Sequence, residues 1–268
     1  MMKWMYLLKS KLLLLGSLLL LCSCDFTPTI NKEIVEAQEY LLVQKYEKSI
    51  AKYKQIIEKN PNNELKVKIY YQLGEIYSTN LGQNKLAIDF FNKVKDLTED
   101  PLFLVKSEER IGEIAFNFSK NFKTSFDSYK NLSKFTPKLT NFDLYQFRMA
   151  ISAFKLSNRQ DAKTIFEQIQ KNRNHKFFVD SFYYLGLVFF QEKKWKRSLI
   201  YLKEYIKREN RRELVVQAKF ILANIYESME ELKTAYDLYY SILGKYPNTQ
   251  VVQNRLNSIY SRRIARKR

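Results

Sequence analysis

The 268-residue sequence has one histidine, two cysteines, six glycines and five prolines, and each scarcity removes a class of chemistry. His175 follows the polar turn Lys171-Asn172-Arg173-Asn174 with no carboxylate at ligand spacing beside it. It reads as a surface loop residue and not as a metal ligand. The cysteines, Cys22 and Cys24, are too close in sequence for an unstrained disulfide and too few for a tetrahedral metal site. Gly16 sits in an apolar leader, Gly74, Gly112 and Gly186 in helical segments, and Gly82 and Gly244 near helix ends, which leaves none for a phosphate-cradling loop. No proline falls inside a predicted helix. Acidic residues are outnumbered, 28 Asp and Glu against 46 Lys and Arg. Their clusters, Glu108-Glu109 and Glu227, Glu230 and Glu231, read as solvated helix faces, and no two acids stand out as a catalytic pair. The expectation is a chain that is not an enzyme, with no cofactor and no metal.

What is present begins at the N-terminus. Lys3, Lys9 and Lys11 surround or precede an apolar run from Leu12 to Leu21, broken only by Gly16 and Ser17. Spanning hydrocarbon takes roughly 20 apolar residues. The shorter run predicts a secretory signal peptide over residues 1–23. Leu21-Cys22-Ser23-Cys24 resembles a bacterial lipobox, with an aliphatic residue and two small ones before the modified cysteine. The resemblance implies cleavage before Cys24 and a covalent lipid there, a thioether-linked diacylglycerol with an acylated amine. Such acyl chains anchor stably in a lipid bilayer. Residues 24–30 then form the anchor and a tether, with Asp25-Phe26-Thr27-Pro28-Thr29 reaching roughly 25 Å at ~3.3 Å per extended residue. The expected location is the exported side of a bacterial membrane, either a periplasmic face or the cell surface. Loss of Lys3, Lys9 and Lys11 with the leader takes the net charge from +18 to +15. Export argues against nucleic acid as the partner of this charge, and most of the lysines read as a solvated surface.

Two marks recur through the rest. Small residues at Ala37, Gly74, Gly112, Ala150, Gly186 and Ala223 are spaced 37, 38, 38, 36 and 37 apart. A second set, Ser49, Ala87, Ser125, Ala162, Ser198 and Ala235, is spaced 38, 38, 37, 36 and 37. Small residues allow helix backbones to approach where they cross. Large residues one turn on fill the space alongside: Tyr40, Tyr77, Phe189 and Tyr226 after the first set, and Tyr53, Phe91, Tyr129, Phe166 and Tyr239 after the second. Pro61, Pro101, Pro137 and Pro247 punctuate the ends of second helices. The pattern predicts an all-α chain of six helix-turn-helix units over residues 31–249, with residues 250–268 as a basic C-terminal capping helix.

Segments 37–61, 183–206 and 222–247 resemble tetratricopeptide repeats, the first carrying the small, aromatic, small, aromatic, proline series as Ala37, Tyr40, Ser49, Tyr53 and Pro61. The units run two to four residues longer than is usual, and Ala115 replaces an aromatic in the third. The resemblance implies a solenoid whose first helices line a groove for a partner protein. Carried across position by position, the groove takes Tyr71, Glu75 and Ser78; then Lys106, Glu109, Arg110, Glu113 and Phe116; then Phe147, Arg148, Ile151 and Phe154; then Tyr183, Leu187 and Phe190; and finally Phe220 and Asn224. The earlier part is mixed and acidic, the later part an aromatic strip that either faces a partner or packs internally. A carboxylate clamp known in the family is incomplete here, because Ile34, Gln38 and Gln72 stand where it needs Lys, Asn and Asn.

A lipid anchor joined to such repeats resembles the lipoprotein subunit of the outer-membrane β-barrel assembly machinery. It implies a membrane-tethered adaptor or scaffold that makes protein–protein contacts with other envelope proteins. The alternative is a lipoprotein that holds peptidoglycan or a small ligand in the aromatic groove.

Overall fold

The computed structural model describes residues 27–266, which are all-helical, with no strand among them. The expected signal peptide and Cys24 lie outside the described residues. Repeat 1 consists of α1 (Thr27–Leu42) and α2 (Tyr46–Glu58), and repeat 2 of α3 (Asn63–Glu75) and α4 (Asn84–Leu97). Repeat 3 pairs α5 (Pro101–Glu113) with α6 (Phe122–Leu132), and repeat 4 pairs α7 (Phe142–Lys155) with α8 (Arg159–Gln170). Repeat 5 is α9 (Phe178–Gln191) with α10 (Trp195–Arg208), repeat 6 is α11 (Arg212–Ser228) with α12 (Leu232–Ile242), and α13 (Thr249–Ala265) follows. α1 begins at Thr27, inside the segment 24–30 expected to serve as anchor and tether.

The chain divides into two compact units, one ending at Thr98 and the other beginning at Glu99. The first holds repeats 1 and 2. The second holds repeats 3 to 6 and α13, stacked in chain order so that each second helix also packs on the next first helix.

The two sets of small residues mark the helix crossings. All twelve are buried, and the nine that are Ala or Ser are fully so. The glycines are needed sterically. A Cβ on Gly74 would stand 2.7 Å from the Phe91 ring, one on Gly112 3.1 Å from Tyr129, and one on Gly186 2.6 Å from Leu202 Cγ. Two of the serines add a polar fastening. Ser49 Oγ donates to the Ala37 carbonyl at 2.8 Å and Ser198 Oγ to the Gly186 carbonyl at 2.6 Å, each joining the two small residues of one repeat. Ser125 Oγ instead lies 2.9 Å from Ser152 Oγ on α7.

The extra length of repeats 2 and 3 has a definite place. Their paired small residues are 13 apart, Gly74 to Ala87 and Gly112 to Ser125, where the other four repeats have 12. In these two alone the first helix ends in a π turn, Ile76–Asn80 and Ile114–Phe118. A π turn takes up one residue without breaking the helix. The left-handed turn residue then falls one place later, at Gly82 and Lys120, against Gln44, Ser157, Lys193 and Glu230 elsewhere. Asparagine or aspartate caps several helix starts, with Asn62, Asp100, Asn121, Asn158 and Asn248 each accepting a backbone N–H of the first turn.

Three expectations about polar residues are corrected. His175 is not a surface loop residue but buried, with its side chain 3% exposed. Its Nδ1 accepts the Phe177 N–H at 3.1 Å, and its Nε2 faces Asp143 Oδ1 at 3.4 Å. Asp143 Oδ2 also accepts the Lys176 N–H at 2.8 Å, so the loop before α9 closes onto the first turn of α7. Glu108 and Glu227 are likewise buried and not on solvated faces. Asn131 Nδ2 donates to Glu108 at 3.0 Å, and Arg262 Nη1 to Glu227 at 3.1 Å.

Candidate functional site

The groove positions fall at fixed offsets from the first small residue of each repeat, which sets which neighbours each side chain meets. In the first unit, Tyr71, Glu75 and Ser78 are half-buried on α3 and its π turn. The Tyr71 ring lies edge-on to Phe91 of α4 at 5.4 Å. Three residues before the small one, an aromatic ring rests on the core ring of its own second helix, and the second unit repeats this contact. Phe147 meets Phe166 at 6.1 Å and Phe220 meets Tyr239 at 5.6 Å, both edge-on. Tyr183 meets Tyr205 at 5.2 Å.

Repeat 3 departs from this plan because Glu109 holds the ring position. The Tyr145 hydroxyl of α7 donates to Glu109. Burial, reinforced by that carboxylate, raises the Tyr145 hydroxyl above the usual phenol range. Arg110 Nη1 pairs with Glu113 at 2.7 Å. Arg148 donates to the Tyr129 hydroxyl at 2.7 Å and lies over the Phe116 ring at 5.3 Å. The mixed, acidic part of the predicted groove is therefore hydrogen-bonded within itself, with Lys106 exposed at its edge.

The aromatic strip is half-buried throughout, and Ile151 is buried. Phe147 stacks on Phe177 at 4.2 Å, and Phe154 lies edge-on to Tyr184 at 6.0 Å. Tyr184, which the sequence pattern did not single out, ties the strip together. It stacks on Phe166 at 5.1 Å and meets Tyr183 at 5.6 Å. Burial pushes its hydroxyl up to about 12. The pair Tyr183-Tyr184 was the available signal, since one helix cannot point two adjacent rings the same way.

Beyond Tyr183 the strip opens into a cleft of about 490 Å³ lined by Phe190, Phe220, Asn224, Glu227, Ser228, Glu230, Arg255 and Arg262. Phe190 packs on Trp195 at 5.5 Å and Phe220 stacks on Tyr246 at 4.4 Å. Asn224 Oδ1 accepts the Tyr239 hydroxyl at 2.7 Å. The cleft thus joins two ring faces to a rim of paired charges. Tyrosines raised by burial remain neutral donors. Among the described residues, no group of three or more His, Cys, Asp or Glu side chains is placed to hold a metal ion. No helix among them is long and apolar enough to cross a membrane.

Residues 145–173 and 217–249, which fall in repeats 4 and 6, match the family model of the tetratricopeptide repeat. No curated protein sequence matches the chain. Solved structures do resemble it. PilW, described as a widely conserved type IV pilus biogenesis factor, is 16% identical, covers 87% of this chain and 98% of its own, and gives a TM-score of 0.52. Pseudomonas aeruginosa PilF is 13% identical over 84% of this chain and 95% of its own, with a TM-score of 0.50. The apo form of RapI is 13% identical over 93% and 80%, with a TM-score of 0.59. At such identities the likeness is one of fold. The chain has the fold of tetratricopeptide-repeat proteins, and two of its six units match that repeat in sequence.

Proposed function

We propose that this chain is a non-catalytic protein-binding adaptor, tethered by a lipid on Cys24 to the exported side of a bacterial membrane and engaging other proteins of the cell envelope. The observation that carries the binding reading is the run of half-buried rings on successive first helices, Phe147, Phe154, Tyr183, Phe190 and Phe220, which ends in an open cleft. Repeat proteins use such continuous faces to hold an extended or helical segment of a partner. The tethering reading is supported by the charged start, the short apolar run and Leu21-Cys22-Ser23-Cys24. A role in building envelope structures is in keeping with the likeness in fold to PilW, a type IV pilus biogenesis factor.

Crosslinking followed by purification from detergent-solubilised membranes tests the binding reading. Leu187→Arg places a charge among the rings at a half-buried position of α9. Loss of co-purifying envelope proteins at an unchanged melting temperature is the expected result. Full co-purification by the folded variant would remove the groove from the function. A chain that purifies alone and binds glycan strands would replace the adaptor by a ligand-binding lipoprotein. The tether is tested separately with Cys24→Ala, which should abolish incorporation of a fatty-acid analogue.

A further inference from the structure

The outer faces of the six second helices can be compared at matched positions. Counting from the buried small residue of each, the positions two before and two, five and nine after it lie within a ~60° arc at 100° per residue, so they form one stripe ~16 Å long. In α2 the stripe reads Glu47, Ala51, Lys54, Glu58; in α4, Lys85, Asp89, Asn92, Asp96. In α6 it begins Lys123, Asp127, Lys130; in α8 it contains Glu167; in α12 it contains Lys233 and Asp237. Each of these five carries a carboxylate. The α10 stripe carries none: it is Lys196, Ile200, Lys203, Lys207.

The exchange has a direct electrostatic consequence. In α6, Lys123 pairs with Asp127 four residues on, at 2.9 Å. Ile200 stands at the place of Asp127, so Lys196 lacks that partner. Lys196, Lys203 and Lys207 are all exposed, and none forms an ion pair among the described residues. Elsewhere on this stretch carboxylates are taken by other cations, Glu204 by Arg208 at 2.9 Å and Glu209 by Arg211 at 2.7 Å. Ile200 itself is 62% exposed. The exposed Arg197 adds a further cation on the flank, its guanidinium 5.6 Å over the Phe189 ring, and the Lys163 ammonium lies 5.9 Å over the same ring.

We propose that the outer face of α10 is a docking surface for a bilayer containing anionic phospholipid. The lysines stand in a row along a helix ridge. Such a row does not converge on one point, as binding a single carboxylate or phosphate would require, but it does meet a planar array of anionic headgroups. The exposed isoleucine between them suits the boundary between headgroups and acyl chains, where interfacial helices place apolar side chains amid lysine. This contact orients repeat 5 against a membrane and does not depend on any acyl chain at Cys24.

Vesicle flotation of residues 25–268, which lack the apolar leader and Cys24 but keep every described helix, so that binding is reversible, tests the proposal. The vesicles are phosphatidylcholine alone or phosphatidylcholine mixed with phosphatidylglycerol. The parent should prefer the mixed vesicles. Lys196→Gln, Lys203→Gln and Lys207→Gln together should weaken that binding about a hundredfold, with roughly fivefold from each lysine near an anionic surface. Binding to neutral vesicles should not change. Ile200→Asp, which restores the carboxylate of the sister helices, should weaken mixed-vesicle binding about tenfold. A triple variant of normal helicity that binds mixed vesicles as the parent does overturns the proposal. So does loss of binding to poly-glutamate while vesicle binding is kept, since that outcome assigns the stripe to an acidic polypeptide.

Discussion

A Cβ on Gly186 would lie 2.6 Å from Cγ and 2.8 Å from Cδ2 of Leu202, a side chain with no solvent exposure. The crossing of α9 and α10 is therefore closed to any larger residue unless Leu202 moves. Alanine normally gains about 1 kcal/mol over glycine inside a helix, but overpacking a filled core costs ~1–3 kcal/mol. Gly186→Ala should lower stability despite the better propensity, and Gly186→Leu should lower it further. Leu202→Ala should cost less in the Gly186→Ala background than alone, a coupling that a double-mutant cycle in urea reads directly. Additive losses would mean that the two residues do not share the space.

The π turn of repeat 3 holds one residue more than the turns of repeats 4 to 6. Deleting the exposed Asn117 brings Gly112 and Ser125 to the 12-residue spacing of those repeats, and a deletion variant should keep its helicity and lose ~1 kcal/mol or less. Removing Leu156 from repeat 4, where the spacing is already 12, takes away a residue the turn requires. That variant should lose more than ~3 kcal/mol, as expected when core packing is broken. Circular dichroism melts of the two deletions separate these cases. Equal losses would show that the thirteenth residue is not an insertion.

The repeat was legible because close helix crossing admits only Gly, Ala or Ser, a steric demand that leaves its trace in residue identity. The π turns were half-legible. The 13-residue spacing stands in the sequence, but its meaning depends on knowing that Gly82 and Lys120 hold the left-handed turn position. Burial of polar residues was not legible, because it depends on distant partners. His175 is covered by the first turn of α7, more than 30 residues earlier, and Glu227 by Arg262, 35 residues later. For the same reason the sequence left open whether the groove rings face a partner or pack internally; Tyr184 and Phe177 of the following repeat cover part of Phe147.

His175 makes stability depend on pH. Burial lowers its pKa, Asp143 opposes that shift and Lys138 assists it, so the folded chain holds the ring neutral where the unfolded chain binds a proton. Its contribution is complete above the unfolded value of about 6.5 and is lost as the pH falls below it toward the folded value. The urea midpoint should therefore drop between pH 7.5 and 5.5, and His175→Gln should flatten that slope whatever its own stability. Identical slopes for the parent and His175→Gln would assign the dependence to another group.

Arg262 joins α13 to α11 and the turn after it through the two arms of its guanidinium, Nη1 to Glu227 at 3.1 Å and Nη2 to Glu230 at 2.6 Å, while Arg266 also pairs with Glu230. Glu227 is 9% exposed and further shares the Tyr239 hydroxyl at 3.1 Å. The two ends of this contact differ in what they risk. Glu230 is exposed and its pairs are screened, so little stability is expected from them. Glu227 has lost most of its water, and removing its guanidinium leaves a carboxylate with fewer donors. Arg262→Ala should cost ~1–2 kcal/mol, below the range for fully buried pairs because Arg262 itself is partly exposed. Arg262→Lys should recover only part of this, since one ammonium cannot reproduce the planar fork to two carboxylates. Glu227→Gln combined with Arg262→Ala should cost less than the two single losses together, because the charge that needed a partner is gone. The effect should survive added salt, whereas a screened surface pair would fade. A loss that salt abolishes, or strict additivity in the cycle, would place the anchoring of α13 in its apolar face, Val252, Leu256 and Ile259, and not in the Glu227 contact.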